Sequence, residues 1–168
     1  MMSSPELSTP IEAIADELRR RGWWMATAES CTGGGIAAAL TAVPGSSQWF
    51  AGGLVTYSIP WKERLLRVPA DTIEKFGVVS EETVSAMLQG LQATQGVQVG
   101  IAVSGIAGPT GAEPGKPVGT VVLGVCAGSD RVVETCHFAG DREAVRAAAV
   151  IHGIAMLEKL FSEISEKE

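Results

Sequence analysis

An apolar run from Trp23 to Glu29 breaks at Ser30-Cys31-Thr32 into three consecutive glycines, Gly33 to Gly35, and then into an alanine-rich stretch ending at Thr41. Trp23 to Glu29 therefore reads as a short buried strand and, after a tight turn, Thr32 to Thr41, opened by the three glycines, as a helix of small side chains. Such a strand needs a sheet to join, and such a helix needs a neighbour close enough to touch alanines. Both requirements point to an α/β architecture.

The rest of the chain has the same alternation. Thr9 as N-cap, Pro10 at the first helical position and Glu12 predict a helix start, with Ile11, Ile14, Ala15 and Leu18 on one face and Gly22 as the stop. Trp49 to Ser58 reads as a second strand and Pro60 to Leu66 as a short helix. Ser80 caps a long helix that carries Glu81 and Glu82 at its positive end, buries Val84, Met87, Leu88 and Leu91, and ends at Gly96. Val97 to Val103 is a strand. Ser104 to Lys116, with four glycines and two prolines in thirteen residues, is a loop on a fixed path. Val118 to Ala127 and Arg131 to Phe138 form a hairpin, and Asp141 caps a last helix with Val145, Ala149, His152, Met156 and Leu160 inward. The expected fold is a three-layer α/β/α sandwich with a mixed, mainly parallel sheet. With 168 residues, the chain is expected to be one domain, 1–168, with its core over about 11–160.

Charge and cysteine usage narrow the function classes. A net charge of −6 opposes phosphate backbones and argues against direct nucleic-acid binding. The first residues, MMSSPELSTP, lack a basic segment followed by an apolar one, and no apolar stretch is long enough to span a membrane, so a cytoplasmic location is expected. Cys31, Cys126 and Cys136 contain no CxxC pair and fit free thiols. His137 beside Cys136 would point to the opposite face of a strand, so the spacing argues against a zinc site and no metal is expected.

Three polar clusters lie at predicted strand ends, where α/β domains place their sites. In the first, Ser30 could present its hydroxyl while the amides of Cys31, Thr32, Gly33 and Gly34 face a developing negative charge, an arrangement suited to acyl transfer. Ser30 or Thr32 could also simply cap the helix. The GxSxG elbow is absent, since Ala28 and Thr32 take the glycine positions. Cys31 is the other nucleophile to weigh, without a histidine near it in sequence.

The second cluster holds Tyr57, the only tyrosine, and Lys62, which as a desolvated amine could serve as base to a serine in place of the missing histidine. A solvated lysine beside a strand-end tyrosine is the plainer alternative. The third runs from Ser104 through Gly105, Ala107 and Gly108 to Lys116. It lacks the spacing and the Ser/Thr of a nucleotide P-loop, but its bare amides could cradle a phosphate, and Arg142 at the last helix start could grip one.

The segments TAESCTGGGIAAALTAVPGSS, FAGGLVTYS, SGIAGPTGAEPGKPVGTV and FAGDRE, in this order over about residues 11 to 160, resemble the CinA C-terminal domain family of nicotinamide-nucleotide amidohydrolases. The resemblance implies deamidation of nicotinamide mononucleotide to the nicotinate mononucleotide and ammonia, no cofactor, and a homo-oligomer, dimer or higher. It implies Ser30 as nucleophile, Lys62 and Tyr57 as its activating pair, Ser104 as a site hydroxyl and Arg142 as a substrate arginine. Ile59 stands where the family usually has Asn, and Arg67 where Gly is frequent. Only a short tail precedes residue 11, as expected of a stand-alone member. The competing expectation is a catalytically silent nucleotide-binding module associated with competence or DNA uptake.

Overall fold

A computed structural model describes residues 5–168. Among them are five strands, β1 (Met25–Glu29), β2 (Phe50–Val55), β3 (Val99–Gly105), β4 (Thr120–Ala127) and β5 (Asp130–His137). Six α-helices accompany them: α1 (Pro5–Arg21), α2 (Gly35–Thr41), α3 (Ile59–Leu66), α4 (Ala70–Phe76), α5 (Glu81–Gln95) and α6 (Arg142–Ser165). The sheet order is β2-β1-β3-β4-β5. β1 is parallel to both neighbours, and the two hairpin pairs β3·β4 and β4·β5 are antiparallel. Only β4 therefore runs against the other four, and the sheet is mixed with one prevailing direction.

Helices cover both faces. Leu7, Ile11, Ile14 and Leu18 of α1, Ile36 and Leu40 of α2, and the apolar side of α6 pack on one. Leu66 of α3, Ile73 of α4 and Val84, Met87, Leu88 and Leu91 of α5 pack on the other. Covered on both sides, β1 and β4 are buried at every position, which is why they read as continuous apolar runs.

Several boundaries differ from the sequence expectation, each for a local reason. α1 starts at Pro5 and Pro10 lies inside it, so Thr9 is not a cap. Leu7 is buried one turn before Ile11 and extends the same apolar stripe. α2 starts at Gly35, because Gly33 and Gly34 hold left-handed backbone, φ 60° and 97°, that a helix cannot include. α4 was not foreseen. Ser104 and Gly105 belong to β3 rather than to the following loop. His152 is half-exposed and bonded to Glu134 instead of lying in the core.

Two glycines decide how closely the layers approach. A Cβ on Gly53 of β2 would lie 2.9 Å from the Ala37 Cβ, so the alanine face of α2 rests almost on the sheet. A Cβ on Gly90 of α5 would lie 1.7 Å from the Leu66 carbonyl oxygen, so α3 ends in direct contact with the α5 backbone. Arg67, which caps α3, has φ 53°, a left-handed conformation that glycine adopts more easily than arginine.

Candidate active site

The chain leaves β1 through α2 on one face and leaves β2 through α3 to α5 on the other before returning as β3, so a crevice opens at the carboxyl ends of the three strands. Ser30 follows β1, and its amide donates to the Val103 carbonyl at 3.1 Å, extending the ladder by one residue. Lys62 lies one turn into α3, whose start is set by the Ser58 hydroxyl accepting from the Trp61 amide. Ser104 and Gly105 end β3. A cleft of about 210 Å³ is lined by Ser30, Cys31, Tyr57, Ile59, Lys62, Val78, Val79, Ser104, Gly105, Ala107 and Arg142. Residues from all three predicted clusters meet there. A larger cleft of about 760 Å³ lies over α5, between Leu66, Phe76 and Val133, and none of these site residues lines it.

The Lys62 side chain is fully buried. Its Nζ donates to Ser30 Oγ at 3.0 Å, to the Thr56 carbonyl at 2.6 Å and to the Tyr57 carbonyl at 3.3 Å. Among the described residues no carboxylate pairs with it. Burial disfavours the ammonium and lowers its pKa from 10.5 to about 8. When the amine is neutral, the two carbonyls hold its N–H groups and leave its lone pair to Ser30. Burial acts oppositely on Cys31, whose thiol is pushed up to about 11, with the nearby Glu29 adding to the rise. A thiol at that value is a poor nucleophile at neutral pH. Of the two candidates in this turn, Ser30 is the one whose side chain meets the amine.

Tyr57 is turned outward. Its phenol oxygen accepts from Arg142 Nη2 at 3.0 Å, and the backbone carbonyl, not the phenol, meets Lys62. Arg142 also donates to the Gly108 carbonyl at 2.8 Å, linking the glycine loop to the start of α6, which Asp141 caps by accepting from the Ala144 amide. The Ser104 hydroxyl donates to the Val78 carbonyl at 2.8 Å, so it faces the cleft as an acceptor.

The turn after Ser30 departs from the sequence expectation. Thr32, Gly33 and Gly34 do not line the cleft. The Gly33 amide donates to the Ser30 carbonyl, and the Thr32 hydroxyl and Gly34 amide donate to Glu29. Glu29, whose role no sequence pattern marks, is fully buried and accepts five bonds from Thr27, Thr32, Gly34, Ile36 and Ala37 at 2.6 to 3.1 Å. Its carboxylate occupies the positive end of α2 and fixes the loop that carries Ser30. Arg146, also missed, clamps the same loop by donating to the Cys31 and Thr32 carbonyls at 3.0 and 3.1 Å.

A buried amine set against a serine hydroxyl, at the carboxyl edge of an α/β sheet, defines a domain equipped for covalent acyl transfer. The family model of the CinA C-terminal domain matches residues 8–161, and the chain belongs to this family. It is 49% identical to "Nicotinamide-nucleotide amidohydrolase PncC" from Pseudomonas putida, over 94% of this chain and 98% of that one. A protein of the same description from Enterobacter agglomerans is 49% identical over 89% and 90% of the two chains. Among solved structures, the competence damage-inducible protein A from Klebsiella pneumoniae superposes with a TM-score of 0.88 at 39% identity, covering 93% of this chain and 97% of that one.

Proposed function

We propose that this protein is an amidohydrolase that converts nicotinamide mononucleotide to nicotinate mononucleotide and ammonia, with Ser30 as nucleophile and Lys62 as its base. The observation that carries the reading is the 3.0 Å contact between Ser30 Oγ and a lysine amine with a depressed pKa inside a small cleft. The names of the Pseudomonas and Enterobacter relatives supply the substrate.

In the reaction, neutral Lys62 takes the Ser30 proton as the oxygen attacks the carboxamide carbon, and the C=O electron pair moves to oxygen. The amides of Gly33, Gly34, Gly35, Ile36 and Ala37 are held by other acceptors, which leaves that of Cys31, the residue beside Ser30 that lines the cleft, to receive the oxyanion. Collapse breaks the C–N bond, the Lys62 ammonium returns its proton to the departing nitrogen, and ammonia leaves. Water, deprotonated by the same amine, then cleaves the acyl-serine and restores the hydroxyl. The direct Lys62–Ser30 contact favours this route over a relay through the Tyr57 phenol. The cleft is smaller than the roughly 300 Å³ or more of usual ligand pockets, so it suits the pyridine carboxamide, with ribose and phosphate reaching its mouth. There Arg142 and the loop through Gly108 offer a guanidinium and amides to the phosphate.

Ammonia release from nicotinamide mononucleotide tests the proposal. The wild-type protein is expected to release it and Ser30→Ala to lose release while keeping its fold by circular dichroism, because the hydroxyl forms the covalent bond. Binding of the mononucleotide without ammonia release by the wild type would instead mark a silent binding module.

A further inference from the structure

β5 is an edge strand, and the two-residue period puts Glu134 and Cys136 on the same face, toward α6. α6 presents His152 to that face. A carboxylate oxygen of Glu134, the Cys136 sulfur and a ring nitrogen of His152 lie within 4.8 Å of one another. His152 Nε2 is 2.5 Å from Glu134 Oε1, and Cys136 Sγ is 3.7 Å from that oxygen. The Phe138 ring packs edge-on against the imidazole, with centroids 5.7 Å apart, and limits its rotation. A cleft of about 210 Å³ bounded by Glu134, His152, Met156 and Lys159 opens beside the group, so a further ligand position is reachable by water.

We propose that Glu134, Cys136 and His152 form a binding site for a single borderline divalent transition cation of the zinc class, with solvent completing a tetrahedral set. One oxygen, one sulfur and one nitrogen match that class and not calcium or magnesium, which take oxygen donors. All three side chains come from rigid elements, and a cation would tie the exposed edge of the sheet to α6. The cluster sits at mid-strand, Glu134 pairing with Leu123, away from the strand ends that hold Ser30, so its role is structural and separate from the proposed chemistry. Sequence spacing concealed it. The adjacent His137 points to the other face, toward Thr120, and the ligand comes instead from sixteen positions beyond Cys136.

Cobalt(II) added to the purified full chain tests the site, with zinc as competitor. The expected result is one equivalent bound with a near-ultraviolet thiolate-to-cobalt charge-transfer band and strong visible bands of tetrahedral cobalt, both bleached by zinc. Cys136→Ser should lose the charge-transfer band, and His152→Ala should weaken binding on the order of tenfold or more. Both variants should melt cooperatively without metal, and zinc should raise the Tm of the wild type but not of His152→Ala. A wild type without the band, or a band that persists in Cys136→Ser, overturns the proposal. So does a zinc-induced rise in Tm that is the same in His152→Ala.

Discussion

Lys62 meets one hydroxyl and two carbonyls, and its depressed pKa of about 8 comes from burial alone rather than from a neighbouring cation. Lys62→Met is therefore expected to lower the rate of ammonia release by a factor on the order of 10² to 10⁴, the usual range for a general base. Lys62→Arg should not restore it, because a guanidinium keeps its proton. Tyr57→Phe should cost less than roughly tenfold, a small fraction of a general base's share, since the phenol faces Arg142. Steady-state rates of the three variants check this; a Tyr57→Phe loss as large as that of Lys62→Met would put the phenol in the proton path. The meeting of Ser30 and Lys62 was legible only in part, because a strand ending in a glycine turn and a lysine after the next strand can both face the crevice, while a helix cap and a solvated lysine fit the same residues equally well. Glu29 and Arg146 were not legible. A glutamate becomes a buried anchor only when the turn wraps five donors around it, and Arg146 reaches back across 115 residues to the loop it clamps.

At the scale of elements, the position of Lys62 depends on how α3 lies against α5. The Leu66 carbonyl, one turn after Lys62, occupies the space that a side chain at Gly90 would need. Gly90→Ala sets a methyl against backbone, which cannot rotate away, so the helices must separate at a cost of about 1–3 kcal/mol or more. A lower Tm and an at least tenfold slower release of ammonia are expected, since small displacements of a catalytic group are amplified in rate. A variant matching wild type in both would show that this contact does not set Lys62. Helix α5 was easy to read, with Ser80 and Gly96 at its ends and four apolar residues on one face. α4 was not, because seven residues with a single buried side chain, Ile73, carry little periodicity. The start of α2 was misplaced because a glycine run marks an opening helix and a left-handed turn equally well, and here Glu29 selects the turn.

For the whole molecule, the buried amine links stability to pH. An unfolded lysine titrates near 10.5 and Lys62 in the fold near 8, so between these values the unfolded chain binds more protons and stability rises with pH. The penalty, on the order of 3 kcal/mol, is complete below pH 8 and gone above about 10.5. Lys62→Met lacks it, so from pH 7 to 9.5 wild type should gain about 2 kcal/mol relative to the variant in denaturant unfolding. Parallel curves would contradict a desolvated lysine. At this scale the layered α/β fold and its mixed sheet were legible from the alternation of elements, whereas the sheet order and the meeting of Glu134, Cys136 and His152 depend on contacts that span the sequence. The same titration governs the proposed activity, and the most direct test is the initial rate of ammonia release from nicotinamide mononucleotide between pH 6 and 9, for wild type and Ser30→Ala. With the wild type, kcat/KM should rise about tenfold per unit of pH and level near pH 8 as Lys62 loses its proton, while Ser30→Ala stays at background throughout. A flat wild-type profile over that range, or a Ser30→Ala rate near that of wild type, would contradict the serine–lysine account.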